Sequence, residues 1–372
     1  MIMDPLLLAS RLIAVDTRSS QSNVELADLL VAELKHFELE RLDFSDAEGI
    51  AKSVLVAIAG ASSDQAPVAL AAHMDTVPPI GWRRDPFKPE VEQGRLYGLG
   101  SCDMKGPLAA AVAAAHLSAA SQQVILLLTC DEETTKAGAR KIVADSVLLR
   151  EKKPSAIFVV EPTEMTPLRG HRVDIQFIAD ASGIAAHSAT PDGVNANVAL
   201  IPFLSDMRDL HYRLRSDPAL QDPAYAPPWC DLNIIIDNYE TPMNATPARA
   251  TCRMKFRYSR RIPATQVVEA VEHSARRHGI ALQVRWEGTP PELALEHPLV
   301  RHAERISGET SRLGAFGSDA SQFGAVAPTL VFGPGSMAQA HRPDEYIDVM
   351  QLRQSVTILA KLLSGYDVGI VV

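Results

Sequence analysis

Residues 124–133 read VILLLTCDEE, an unbroken apolar run followed almost at once by three acids, Asp131, Glu132 and Glu133. A run without polar alternation reads as a strand covered on both faces, not one wetted on one side. The same grammar recurs outward in both directions. Upstream, Val68–Ala72 leads straight into His73 and Asp75, and Ser53–Ala59 is another run rich in Val, Leu and Ile. Downstream, Ala156–Val160 leads into Glu161, and Thr329–Phe332 leads into a Gly-Pro-Gly loop and His341. Leu26–Phe37, Pro107–Ala120 and Ala137–Leu149 carry helical composition between these runs, and Gln351–Leu363 reads as a closing helix. Strands alternating with helices predict an α/β domain: a mostly parallel sheet with helices on both faces.

The middle of the chain has a different order. Val173–Ala179 reads as a strand, Asn195–Leu214 as a helix, Leu232–Asp237 and Ala250–Tyr258 as strands, Pro263–Arg277 as an amphipathic helix and Ala281–Trp286 as a last strand. That β-α-β-β-α-β order is the ferredoxin-like pattern and suits a small independent domain. The expected organisation is a catalytic α/β domain made of residues 1–171 and 289–372, with an inserted α+β domain at 172–288.

The whole chain, at 372 residues, is long enough for about two domains. Its formal charge of -9, with no dense block of Lys or Arg, argues against nucleic acid or an anionic membrane as partner. Cys102, Cys130, Cys230 and Cys252 form no CxxC pair, which disfavours disulfide scaffolds and thiolate zinc sites and fits reduced thiols in the cytoplasm. No basic n-region precedes Leu6–Leu8, so no signal peptide is expected, and no stretch reaches the ~18 apolar residues of a membrane span.

Ligands of open parallel sheets bind beyond the carboxyl ends of the strands. The residues collected there are His73 and Asp75, then Asp131, Glu132 and Glu133, then Glu161, then His341; Asp103 joins them from the loop GLGSCDMKG before the Pro107–Ala120 helix. Singly, each has an ordinary explanation as a cap, a turn residue or a core histidine. Together they do not, because burying several carboxylates at one rim without cations costs many kcal/mol. Two imidazoles and several carboxylates without thiolates suit two zinc-like ions, with water activated for hydrolysis. Asp75 is placed to fix the His73 ring, and of the neighbours Glu132 and Glu133 one can ligate while the other handles protons.

AHMDTVP from Ala72, GLGSCDMKG from Gly98, CDEE from Cys130, EPT from Glu161, AAHSATPDGVNAN from Ala185 and GPGSMAQAHRPDEY from Gly333 together resemble the dinuclear-zinc deacylase and exopeptidase family. That family includes acetylornithine deacetylase, succinyl-diaminopimelate desuccinylase, aminoacylase and carboxypeptidase G, and the last run is most similar to the first of these. The resemblance implies His73 and Glu161 on one metal ion, Glu133 and His341 on the other, and Asp103 bridging. It further implies Glu132 as general base and Asp75 as the partner of His73. It makes the inserted domain a dimerisation domain whose His187 reaches the active site of a second copy, and it gives Asn244 and Arg257 the substrate carboxylate.

The function so implied is metal-dependent hydrolysis of an N-acyl amino acid, N-acetylornithine or a near relative such as N-acetylcitrulline, in arginine biosynthesis. Desuccinylase, carboxypeptidase or aminoacylase activity and a non-catalytic binding protein of the same fold stay open. Thr135 and Val173 stand where relatives carry Gly, and Gly317–Phe323 departs from the usual acetylornithine version; Ser318 and Asp319 there are read as pocket-lining residues or, for Ser318, a helix cap. Histidines such as His116, His273 and His278 are read as ordinary surface or core residues.

Overall fold

The computed structural model describes residues 3–61, 65–364 and 366. It separates into two compact units: one takes the residues up to Gly170, Pro291–Leu313 and those from Ser318 onward, and the other takes His171–Pro290 with Gly314–Gly317.

The larger unit is built on an eight-stranded sheet whose strands, in spatial order, begin at Glu38, Ala51, Val124, Val68, Ala156, Thr329, Leu168 and Arg312. The central strands, Val124–Thr129, Val68–His73, Ala156–Val159 and Thr329–Val331, run parallel to one another. All are fully buried, as their uninterrupted apolar sequences require. The flanking pairs are antiparallel, so the sheet is mostly, not wholly, parallel. Alanine dominates the helix Lys105–Ser118, and nearly every side chain of that helix is buried; residues this small let it approach the sheet and the helices Pro5–Ile13 and Val349–Leu363 closely. The last of these starts at Asp348, whose carboxylate accepts from the Gln351 amide.

One expected helix is two. Ala137–Asp145 ends before Ser146, and Val147–Lys152 begins there. The Ser146 hydroxyl accepts from the Leu149 amide, while Glu40 accepts from the Ser146 hydroxyl and the Val147 and Leu148 amides. Caps from both sides make the break more stable than a continued helix.

The smaller unit has a four-stranded antiparallel sheet, in the spatial order Asp231–Asp237, Arg249–Tyr258, Val173–Ser182, Ala281–Trp286. The helices Ala196–Ser216 and Ala264–His278 cover one face. This is the ferredoxin-like order read from the sequence. Its core joins Ile175, Phe177, Phe203, Phe256 and Val271.

Candidate metal centre

Three central strands of the large sheet deliver their polar residues where the backbone leaves the ladder, and His341 follows the fourth at the end of a longer loop. His73 is the last residue of its strand, and its ring is tied on both nitrogens. Nδ1 lies 3.0 Å from the Asp75 carbonyl oxygen and 3.5 Å from the Asp75 carboxylate, and Nε2 lies 3.2 Å from Asp103 Oδ1. Asp75 therefore grips the ring with backbone as well as side chain. Its carboxylate also accepts from Ser19 Oγ at 2.8 Å and from the amides of Glu132 and Glu133 at 3.1 and 3.3 Å. One buried carboxylate thus links the ends of two strands.

Beyond Val124–Thr129 the chain turns sharply. Asp131 and Lys136 both adopt left-handed backbone conformations, at φ 57° and 55°, and the amides of Thr135 and Lys136 return to the Asp131 carbonyl. Gly138 closes the turn, since a Cβ there would lie 2.4 Å from the Cys130 nitrogen. Lys52, buried on the neighbouring strand, anchors Asp131 at 2.7 Å.

Asp103 stands between the histidines: Oδ2 is 3.4 Å from His341 Nε2, which is itself 3.0 Å from Glu133 Oε1. His341 is left-handed as well, at φ 59°, in a loop where Gly335 packs against Cys102. Glu161 Oε1 lies 3.9 Å from His73 Nε2, is buried, and has no hydrogen-bond partner among the described residues. Donor atoms of His73, Asp103 and Glu133 lie within 4.8 Å of one another, as do those of His73, Glu132 and Glu161.

The electrostatics are those of crowded negative charge. Burial pushes Glu133 up to about 7, with the charge of Asp103 adding and the His341 hydrogen bond opposing. Burial likewise carries Glu161 well above the carboxylate range. Hydrogen bonds to Asp103 and Glu133 raise His341 to about 11, and although burial opposes a charge on His73, Asp103 and Asp75 raise it too. Burial works against Asp103, yet the two imidazoles hold it below the ordinary carboxylate range. Left to itself, the cluster compensates its charge by taking up protons.

Divalent cations meet the same need. The donor set is oxygen and imidazole nitrogen without thiolate, and Glu161 presents an unpartnered buried oxygen into it. Cys102, beside Asp103, is no competitor, because its sulfur is held by the Ser336 backbone and burial raises its thiol well above normal. The residues present therefore fit a metal centre.

Residues 69–365 match the sequence profile described as Peptidase family M20/M25/M40. The chain belongs to this family. The acetylornithine deacetylase of Myxococcus xanthus is 30% identical over 377 residues, which span 97% of this chain and 97% of that protein. The Proteus mirabilis enzyme of the same name is 28% identical over 372 residues, 95% of this chain and 92% of its own. Among solved structures, an M20 metallo-carboxypeptidase from Sulfolobus solfataricus superposes with a TM-score of 0.77 at 15% identity, covering 98% of this chain and 99% of the other. A dinuclear-metal-binding M20 peptidase from Bacillus subtilis gives 0.63 at 18% identity, with 96% of each covered. These two likenesses speak to the fold. The M20 protein described here is a metal-dependent hydrolase.

Seven residues singled out in the sequence, His73, Asp75, Asp103, Glu132, Glu133, Glu161 and His341, meet in this one cluster of the larger unit. His187, Asn244 and Arg257 lie in the smaller unit, and the cluster is built without them. There His187 pairs across an antiparallel bridge with Ala245, beside Asn244, whose carbonyl accepts from the Ser188 amide at 3.0 Å. Arg257 is half-buried, 3.9 Å from Asp231.

Two neighbours of the cluster, Glu345 and Lys136, left no mark in the sequence reading, whereas Ser318 and Asp319 were singled out there. The buried Glu345 carboxylate accepts from the amides of Gly100, Cys102 and Asp103 at 3.2, 2.7 and 2.8 Å, holding the Asp103 loop. Its position follows from a three-stranded sheet in which Tyr346–Asp348 pairs with Arg95–Tyr97. Lys136 ion-pairs with Glu132. Ser318 Oγ accepts from the Ala320 amide, as a cap does, and Asp319 is buried, with Oδ2 accepting from Thr129 Oγ1 at 2.5 Å.

Proposed function

We propose that the protein hydrolyses the amide bond of an N-acyl amino acid, with N-acetylornithine or a near relative such as N-acetylcitrulline as substrate, releasing acetate and the free amino acid. The observation that carries this reading is the placement of Glu132. Its carboxylate lies within 4.8 Å of donor atoms of His73 and Glu161, while its backbone is held by Asp75 and its side chain by Lys136. A carboxylate fixed at the rim of a ligand set is what a general base requires.

In this reading His73 and Glu161 would hold one ion, Glu133 and His341 would hold the other, and Asp103 would serve as a ligand to both. Bound ions, zinc being the natural occupants and cobalt or manganese alternatives, would acidify water and polarise the substrate carbonyl. Glu132 takes a proton from the attacking water and delivers it to the departing amine as the C–N bond breaks, and the water oxygen stays with the acyl product. Asp75 fixes the tautomer and orientation of His73.

The smaller unit contributes Arg257 and Asn244 for the substrate carboxylate, which an arginine fork grips at two points. His187 polarises the carbonyl of a substrate held by a second copy of the chain. The exposed apolar side chains Val198 and Ile201 on one helix, with Ile235 and Ile236 on an edge strand, support a homodimer formed through this unit. The relatives named acetylornithine deacetylase favour the substrate and, with it, a place in arginine biosynthesis. The four free, buried cysteines suit the cytoplasm. No helix among the described residues is long and apolar enough to cross a membrane.

Turnover of acetylornithine, acetylcitrulline, succinyl-diaminopimelate and dipeptides, with metal content measured on the same preparation, tests the reading. Glu132→Gln should keep its metal and lose about 10²–10⁴-fold in kcat. His187→Ala should lower kcat while remaining dimeric. A metal-replete Glu132→Gln enzyme with unchanged kcat removes the proposed base, and a protein that binds no metal removes the hydrolytic reading altogether.

A further inference from the structure

Lys136 is the cation next to Glu132. Its side chain is buried to the same degree as that of Glu132, and the ammonium pairs with Glu132 Oε1. Nζ also lies 3.5 Å from the Glu132 carbonyl oxygen. This contact is no ordinary helical i,i+4 pair. Residues 132–136 form a turn, and the left-handed backbone of Lys136, immediately before the helix Ala137–Asp145, folds its side chain back over residue 132. A long side chain in that conformation carries a backbone cost that Gly would largely avoid.

The buried carboxylate of Asp319 bears on the same pair. Its Oδ1 is buried without a hydrogen-bond partner among the described residues, and its charge interacts with both Glu132 and Lys136. Without the ammonium, Glu132 would lose the cation paired with it while keeping the carboxylates of Asp319, Glu133 and Glu161 as neighbours, and the easiest relief would be to rotate away from them. The role assigned above to Glu132 needs the opposite, a carboxylate held at one spot while a proton arrives and leaves.

We propose that Lys136 is a positioning residue for the hydrolytic reaction, holding the Glu132 carboxylate in its proton-transfer position against the repulsion of Asp319 and the ligand carboxylates. The inference rests on the assignment of Glu132 as base. Lys136 touches neither substrate nor metal in this account, and it acts through Glu132.

The test compares the metal-loaded parent enzyme with Lys136→Met, which keeps chain length and loses charge, Lys136→Arg, which keeps charge, and Glu132→Gln. The readouts are kcat and KM on the best substrate of the panel, metal content, and zinc affinity by calorimetry. Lys136→Met should lose roughly 10–100-fold in kcat, the scale set by misplacing a reacting group by about an ångström. Its KM should stay within about three-fold, and its zinc content and zinc affinity should match those of the parent, since no ligand is touched. Lys136→Arg should recover most of the lost kcat. Should Lys136→Arg fail to fold, the split between kcat and KM at unchanged zinc affinity in Lys136→Met carries the test alone. Lys136→Met with parental kcat beside an inactive Glu132→Gln overturns the positioning role and leaves the base standing. A fall in kcat matched by loss of zinc overturns it too, by showing that Lys136 supports the ligands. An active, metal-replete Glu132→Gln would remove the base itself, and the role of Lys136 with it.

Discussion

Replacing Lys52 by Met probes how the sheet supports the cluster. Lys52 Nζ donates to the carbonyls of Ser19 and Gln21 at 2.7 and 3.0 Å and to Asp131 Oδ1 at 2.7 Å, and both charged side chains are buried, 1% and 4% exposed. Methionine fills nearly the same space without the charge. Deleting one partner of a buried ion pair leaves the other uncompensated and costs about 3–5 kcal/mol. At about 2–4 °C per kcal/mol for a unit of this size, the melting temperature should fall by about 6–20 °C. The loss should depend on pH in a defined direction. Burial, helped by the charge of Asp75, already raises Asp131 to about 6, while the Lys52 hydrogen bond and charge pull it down. A carboxyl raised in this way favours the folded chain below its ordinary value near 4, and that contribution is lost as pH rises through about 6. With Lys52 gone the folded-state value climbs further, so the variant suffers most at pH 8, where Asp131 must be buried ionised, and less at pH 5, where it is protonated. Circular-dichroism melts of both proteins at pH 5 and pH 8 read this directly. A deficit under about 2 °C, or one that does not shrink at pH 5, refutes the argument.

Metal binding should release protons: at pH 7 His341, raised to about 11, and part of Glu133, raised to about 7, hold protons that ligation displaces. Zinc titrated into chelator-treated protein in two buffers of different ionisation enthalpy should report at least about one proton per chain, and identical heats in both buffers would contradict the charge-crowding account. Glu345→Gln, which leaves one of the three loop amides facing a donor, should weaken zinc binding about 10–100-fold by calorimetry; unchanged affinity would show that the Asp103 loop holds itself. Gly138→Ala pushes a Cβ into the Cys130 backbone and should cost about 1–3 kcal/mol in a thermal melt, and a parental melting curve would mean that the turn yields at no cost.

The central strands were legible because a strand buried on both faces has little to write but Val, Leu, Ile and Ala, and most of the cluster because the runs Val68–Ala72, Val124–Thr129 and Ala156–Val160 lead into His73, Asp131–Glu133 and Glu161. The edge strand Glu38–Ser45 escaped, since ELERLDFS has no apolar run, breaks its polar–apolar alternation at Glu40–Arg41 and buries none of its residues fully. The break at Ser146 escaped because half of its cap, Glu40, comes from that distant strand. Lys52, Lys136 and Glu345 carry no local sign of burial. A buried lysine is spelled like an exposed one, and only the partners the fold brings, Asp131, Glu132 and the Gly100–Asp103 amides, set them apart. Gly317–Phe323 was noticed as a departure, but the buried position of Asp319 depends on Thr129 at the end of another strand.

Asp131, Lys136 and His341 share the left-handed backbone that side-chain-bearing residues rarely adopt. A campaign to make this protein hardier to heat would be drawn to position 341, because Gly at that half-exposed site returns about a kcal/mol of conformational penalty, whereas at 136 the loss of the buried pair with Glu132 outweighs the same gain. That gain would delete an imidazole from the cluster. Selection by melting temperature alone would therefore enrich robust, inert variants, and a screen for durable enzymes has to score turnover in the same round.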